Sequence, residues 1–111
     1  DGQLILLYEN AAVYAFPSFY EGFGLPGLEA MRHGCPVVSS DATCLPEVYG
    51  DAAVYFDPSK GSEIRAAVSR VLADPEVAEG LRARGYRRAE MYSWHLMAQR
   101  TLDAYRDALA L

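Results

Sequence analysis

The sequence is short of several features that would assign it to large classes of protein. It has only two cysteines, Cys35 and Cys44, in unrelated contexts, with no C-x-x-C and no histidine at metal-ligand spacing. Neither a disulfide framework nor a zinc site is expected, and both cysteines read as reduced thiols acting as small buried hydrophobes. Positive charge is also scarce: 10 Lys and Arg against 15 Asp and Glu leave a net charge of −5. A nucleic-acid partner would call for a basic face, so none is expected. No apolar run approaches the roughly 20 residues that a membrane span needs. No signal peptide opens the chain, and a cytoplasmic location is expected. There is no internal repeat and no low-complexity segment.

What is present is a packed α/β pattern in a chain of 111 residues, half of them apolar, enough for one domain at most. Its centre is Tyr20 to Met31, Y-E-G-F-G-L-P-G-L-E-A-M. A β-rich run, 12–16, precedes it and closes at Pro17-Ser18; a helical pattern, 26–33, follows and stops at Gly34, the usual left-handed residue at a helix end. The segment therefore reads as strand, glycine-bearing turn, helix. Gly22 and Gly24 open backbone angles that let a ligand approach the main chain. Pro26 suits a first helical position because its missing N–H would be unpaired there. The free amides and the positive end of the helix dipole make such a start a site for phosphate. Glu21 lies in the turn and Glu29 eight positions later, one turn along the helix, at a reach suited to ribose hydroxyls.

The rest reads as scaffold. Asp1 is a cap for a first helix carrying Leu4, Leu7, Tyr8 and Ala11 on one face. Further strands are expected at 36–40 and 53–56, continuously apolar as buried parallel strands should be. Ser39, Ser40 and Asp41 stand at the carboxyl end of a strand, where open α/β sheets bind ligands, although Asp41 also suits a cap for a short helix around 46–49. Glu47 falls in the first turn of that helix and reads as structural. His33, in the last turn of its helix, reads as complementing the dipole. From Ser62 onward the pattern is helical. Ile64, Ala67, Val68, Val71 and Leu72 form one stripe, and Asp74-Pro75 caps a helix running to Tyr92 with Val77, Ala78 and Leu81 inward. Arg82, Arg84, Arg87 and Arg88 on that helix read as a solvated face. Ser93 caps a last helix whose stripe runs from Trp94 through Met97, Leu102 and Tyr105 to Leu109.

E-G-F-G-L-P-G-L-E-A-M resembles the E-x7-E signature of retaining, nucleotide-sugar-dependent glycosyltransferases of family 4, which have the GT-B fold. The likeness continues through H-G-C-P-V-V-S-S at 33–40, L-P-E-V-Y-G-D-A-A-V-Y-F-D-P at 45–58 and Ser93-Trp94. Its wording is most similar to bacterial mannosyltransferases of surface polysaccharides. The resemblance implies half of a Rossmann-like domain, about three parallel strands with flanking helices and a C-terminal helical tail. Residues 1–111 would be the C-terminal portion of the nucleotide-sugar-binding domain. It implies Glu29 as the ribose-binding carboxylate. Glu21 would be the catalytic residue supporting charge near the anomeric carbon, and the backbone of Gly22, Phe23, Gly24 and Leu25 would contact the hexose and diphosphate. No D-x-D metal clamp occurs, in keeping with a metal-independent reaction, and no cofactor is implied beyond a GDP- or UDP-sugar as substrate.

The implied acceptor is a glycan or a lipid-linked chain, with peripheral association of the full-length enzyme at the inner face of the membrane. The acceptor domain and the basic pair that would neutralise the departing diphosphate are not in this chain, so the piece alone is expected to be inactive. Strand 12–16 would be an open apolar edge, and such an edge is a template for self-association. Two other readings stay open: a non-catalytic nucleotide-binding or interaction module, and a GT-B-fold epimerase acting on nucleotide sugars.

Overall fold

The computed structural model describes residues 2–19, 23–92 and 94–110, with the side chains of 94–96 left aside. The caps expected of Asp1 and Ser93, and the side chain of Trp94, lie outside the described residues. In chain order the elements are α1 (Gly2–Asn10), β1 (Tyr14–Phe16), α2 (Leu25–Arg32), β2 (Val37–Ser40) and α3 (Leu45–Tyr49). A 3-10 turn (Gly50–Ala52), β3 (Ala53–Phe56), α4 (Gly61–Ala73), α5 (Pro75–Met91) and α6 (Trp94–Leu109) complete them. The strands form one parallel sheet in the order β1-β2-β3, with Tyr14 beside Val37 and Val37 beside Ala53. This is the α/β arrangement expected of the sequence. No helix among the described residues is long and apolar enough to cross a membrane.

The central strand shows why its sequence is apolar without alternation. All four residues of β2 are buried, and successive side chains of a strand point to opposite faces. Val37 faces a core with Tyr8, Leu28, Ala30, Met31, Leu45, Val48 and Tyr49. Val38 faces a second core with Phe56, Ala67, Val71, Ala78 and Leu81. Each buried Leu, Val or Met there contributes about 1.5–3 kcal/mol. The strands are shorter at their starts than expected, 14–16 and 37–40. Pro36 has no N–H to give a ladder, and pairing begins where its carbonyl accepts from the Tyr14 amide at 2.8 Å.

The helices hold several expectations and correct others. Leu28 and Met31 face the core as expected, and Gly34 takes a left-handed φ of 77°. Asp74 caps α5 by accepting from the amides of Glu76 and Val77, a motif worth about 1 kcal/mol. Gly85, which weakened the expectation of α5, is where α5 crosses α2: a Cβ there would lie 3.3 Å from Met31. Leu72 is a correction, being 58% exposed, because Ala67 and Val71 already fill the contact and Leu72 falls beyond its edge. Tyr8 is the buried residue of α1, while Leu4 and Leu7 of the expected face are exposed. The α6 stripe is likewise open at Leu102, Tyr105 and Leu109. Among the described residues no layer covers Leu4 to Leu7 of α1 or the far half of α6.

Both cysteines are free thiols, Cys35 buried and Cys44 half-buried; burial pushes the Cys35 thiol up, with Arg82 opposing. His33 stacks on Tyr8 with centroids 6.2 Å apart, so it serves packing at the end of α2. Tyr55 donates to the Gly50 carbonyl at 2.6 Å. Burial lifts its phenol from the usual 10.0 to about 12, with Arg88 opposing and Asp51 reinforcing the rise. The folded chain thus keeps a proton that the unfolded chain has lost, so stability falls as pH climbs from about 10 to about 12. Thermal melts across that window should show the fall, and Tyr55→Phe should flatten its share of it.

Candidate functional site

Three elements build the region around the motif turn: α2, which starts at it, and α3 and α5, which pack beneath and beside it. The helix begins at Leu25, one residue before the expected start, with Pro26 in its first turn. Gly24 stands at the N-cap with φ 80° and ψ 32°, and no side chain caps the helix. A left-handed N-cap without a side-chain acceptor suits glycine, which meets no Cβ penalty there. The Gly24 carbonyl turns inward and accepts from the amides of Gly27 and Leu28 at 3.2 and 3.4 Å. Leu25 is half-exposed at the mouth of the turn.

Phe23 is half-buried and meets Tyr92 edge-on, with centroids 5.5 Å apart. Glu21 and Gly22 lie outside the described residues. Glu29 is the fifth residue of α2, past the first turn. A carboxylate that only complements the dipole would sit within that first turn, where the effect is strongest. Its side chain is exposed and lines a cavity of about 450 Å3 with Leu25, Leu28 and Arg32 of α2, Tyr86 and Glu90 of α5, and Met97 of α6. The cavity floor is largely aliphatic and aromatic, and its polar groups are Glu29, Arg32, Glu90 and the tyrosines. This mixture suits a ligand with an apolar ring face and hydroxyl groups.

The other sequence candidates fall elsewhere. Ser39 and Ser40 are fully buried. The Ser39 hydroxyl donates to the Ser40 carbonyl, and the Ser40 Oγ accepts from the Ala42 amide, so both close the β2 loop rather than wall a pocket. Asp41 is exposed, and Cys44 takes the N-cap of α3 with no side-chain bond, so Asp41 does not cap it. Glu47 stands in the first turn of α3, as expected. The arginine cluster is divided. Arg82 pairs with Glu79 at 3.2 Å on the surface, but Arg84 donates to the Asp51 carbonyl at 2.8 Å. Arg88 donates to the carbonyls of Val48 and Glu47, each at 2.7 Å. Arg88 thus closes the carbonyl end of α3 and Arg84 the 3-10 turn after it, because carbonyls at a helix end have no partners within the helix. No group of three or more His, Cys, Asp and Glu side chains fit to hold a metal occurs among the described residues.

Sequence reasoning passed over Tyr49. Its side chain is fully buried, and its hydroxyl donates to the Gly24 carbonyl at 2.7 Å. The space it fills is left by two missing side chains. A Cβ on Gly24 would lie 2.6 Å from the Tyr49 Oη, and one on Gly27 would run into Oη and Cζ. The signal was present as two glycines three apart at the start of α2, a pattern of close approach.

A sequence model of the family described as glycosyl transferases group 1 matches residues 1–88. The chain belongs to the glycosyl transferases group 1 family. It is 45% identical over 106 residues to the O-antigen chain mannosyltransferase B of Escherichia coli, covering 96% of this chain and 28% of that protein. It is 40% identical over 114 residues to the MMP alpha-(1->4)-mannosyltransferase of Mycolicibacterium hassiacum, covering 99% and 28%. Among solved structures, sucrose-phosphate synthase from Thermosynechococcus elongatus superimposes with a TM-score of 0.88 at 32% identity, over 97% of this chain and 28% of that one. This group 1 chain thus spans a little over a quarter of the length of those relatives, and its fold is that of a GT-B-type fragment.

Gly27→Ala should therefore destabilise this chain by driving a methyl group into the Tyr49 hydroxyl and ring. Overpacking of this kind costs about 1–3 kcal/mol, and a thermal melt should record a midpoint several degrees lower.

Proposed function

We propose that the chain is the C-terminal portion of the donor-binding domain of a retaining hexosyltransferase of family 4. The full-length protein would move mannose or glucose from a nucleotide sugar to a glycan or lipid-linked acceptor in bacterial surface polysaccharide synthesis. One observation carries this reading: a helix start with no side-chain cap at Gly24, followed one turn later by Glu29 at the rim of a cavity. The amides near Phe23, Gly24 and Leu25, with the helix dipole, receive the diphosphate. Charge that builds on the leaving phosphate during transfer is stabilised by those fixed donors, which need no reorganisation. Glu29 accepts from the ribose hydroxyls, and Glu21 supports the charge that develops at the anomeric carbon, with Gly22 beside it. The basic residues that complete the neutralisation belong to the rest of the protein, so the chain alone is inactive.

The mannosyl lean rests on mannosyltransferases among the relatives, with GDP as the favoured carrier and UDP the other. The enzyme acts in the cytoplasm, peripherally at the inner face of the membrane, where a lipid-linked acceptor is met. Two kinetic results test the roles in the full-length enzyme. Glu29→Ala should raise the donor KM more than it lowers kcat, by about tenfold for one lost charge-assisted pair of hydrogen bonds. Glu21→Ala should chiefly lower kcat. Wild-type kinetics for both would remove the assignment. Nucleoside diphosphate release that depends on acceptor separates a transferase from an epimerase or a binding module.

The isolated chain is proposed to pair with a second copy. Among the described residues β1 is an edge strand with one neighbour, and α1, which precedes it, exposes Leu4, Ile5, Leu6 and Leu7. An open edge next to uncovered apolar residues promotes association. Light scattering after size exclusion should give a mass that rises with concentration; a constant monomer would end the proposal.

A further inference from the structure

We propose that Tyr49 and Arg88 are positioning residues for the donor site, forming a brace that aims the amide of Leu25 without touching the ligand. The inference rests on the donor-site reading above. A trans peptide holds its C=O and the following N–H in one plane, pointing in opposite directions. The Gly24 carbonyl and the Leu25 N–H belong to the same peptide. Tyr49 donates to that carbonyl from the buried side at 2.7 Å, so the Leu25 N–H is turned outward to the mouth of the turn. The phenol is fully buried and walled by Gly24 and Gly27, which leaves it little room to swing away. The bond to Gly24 therefore fixes the orientation of a backbone donor.

The second half of the brace comes from α5. The Arg88 guanidinium donates to the carbonyls of Glu47 and Val48, the two residues before Tyr49, and so fixes the end of α3 from which the tyrosine projects. The same guanidinium lies 5.9 Å from the centre of the Tyr92 ring, and Tyr92 packs edge-on against Phe23. Consecutive residues of the motif turn are thus gripped from two directions, Gly24 by α3 and Phe23 by Tyr92, the residue that ends α5. Arg88 ties the two grips together. Lysine cannot replace it in kind, because an ammonium lacks the planar fork that reaches two carbonyls and stacks on a ring.

The test uses the full-length enzyme and GDP and UDP as probes, with calorimetric binding, donor kinetics and thermal melts on the same samples. Tyr49→Phe keeps the ring and removes the one donor. It should weaken nucleoside diphosphate binding and raise donor KM about three- to tenfold, the worth of one hydrogen bond, with kcat changing less. A purely structural role would instead lower the melting midpoint and the active fraction, leaving Kd and KM as they were, and that result would overturn the proposal. Arg88→Lys should give the same KM-weighted loss and supplies the reading if Tyr49→Phe does not fold. The double variant should lose less than the product of the two, because both act through one turn; full multiplicativity would count against the brace. Glu29→Ala is the control. If it loses affinity while Tyr49→Phe binds as wild type, the brace alone is wrong; if neither loses affinity, the donor site is wrong as well.

Discussion

The hydrogen bond from the Tyr49 hydroxyl to the Gly24 carbonyl is the contact on which the candidate site depends. It joins a helix that follows β2 to the turn that follows β1, across 25 residues of chain. Without it the inward carbonyl would be held only by the longer bonds from Gly27 and Leu28. The bond also explains residues that are otherwise hard to justify. Gly27 sits inside a helix, where glycine costs about 1 kcal/mol relative to alanine, and the reason is the tyrosine beneath it.

The sheet supplies the platform for this contact. A parallel order β1-β2-β3 brings the carboxyl ends of the strands to one edge, and the turn after β1 and the loop after β2 both leave from that edge. Because β2 is buried on both faces, its register with its neighbours is strongly specified; a shift of one residue would exchange Val37 and Val38 between two different cores. A rigid middle strand in turn fixes where α2 and α3 start, and hence the distance that Tyr49 has to reach. The cavity beside Glu29 belongs to the same packing, since α5 crosses α2 closely at Gly85 and Tyr86, Glu90 and Tyr92 line the space beyond.

The group 1 relatives give this arrangement a chemical context. A mannosyltransferase and a sucrose-phosphate synthase are both similar to this chain, and their names differ in the product made. Backbone amides and a helix dipole respond to negative charge and not to which sugar carries it. On the proposed donor-site reading, a phosphate-directed helix start permits one scaffold to serve different sugars, and discrimination between hexoses would come from side chains around it.

Much of the scaffold was legible in local sequence. Three apolar runs bounded by Pro, Gly and Asp marked the strands, Asp74-Pro75 marked the start of α5, and the E-x7-E wording marked the turn and the helix after it. These are short-range signals, carried by propensity, capping and period. Leu72, the exposed face of α1 and the arginines were not legible, because each depends on what another element covers or leaves open. Arg84 and Arg88 look like a solvated cluster along α5; only folding brings the free carbonyls of α3 and the 3-10 turn against them. Tyr49 looked like one more apolar residue in a family motif. By itself, then, the sequence determined the elements, their order and the place of the glycine turn, since those follow from residues a few positions apart. The tertiary structure decided what holds the turn, because that contact pairs a donor and an acceptor from distant segments, and no local pattern records their meeting.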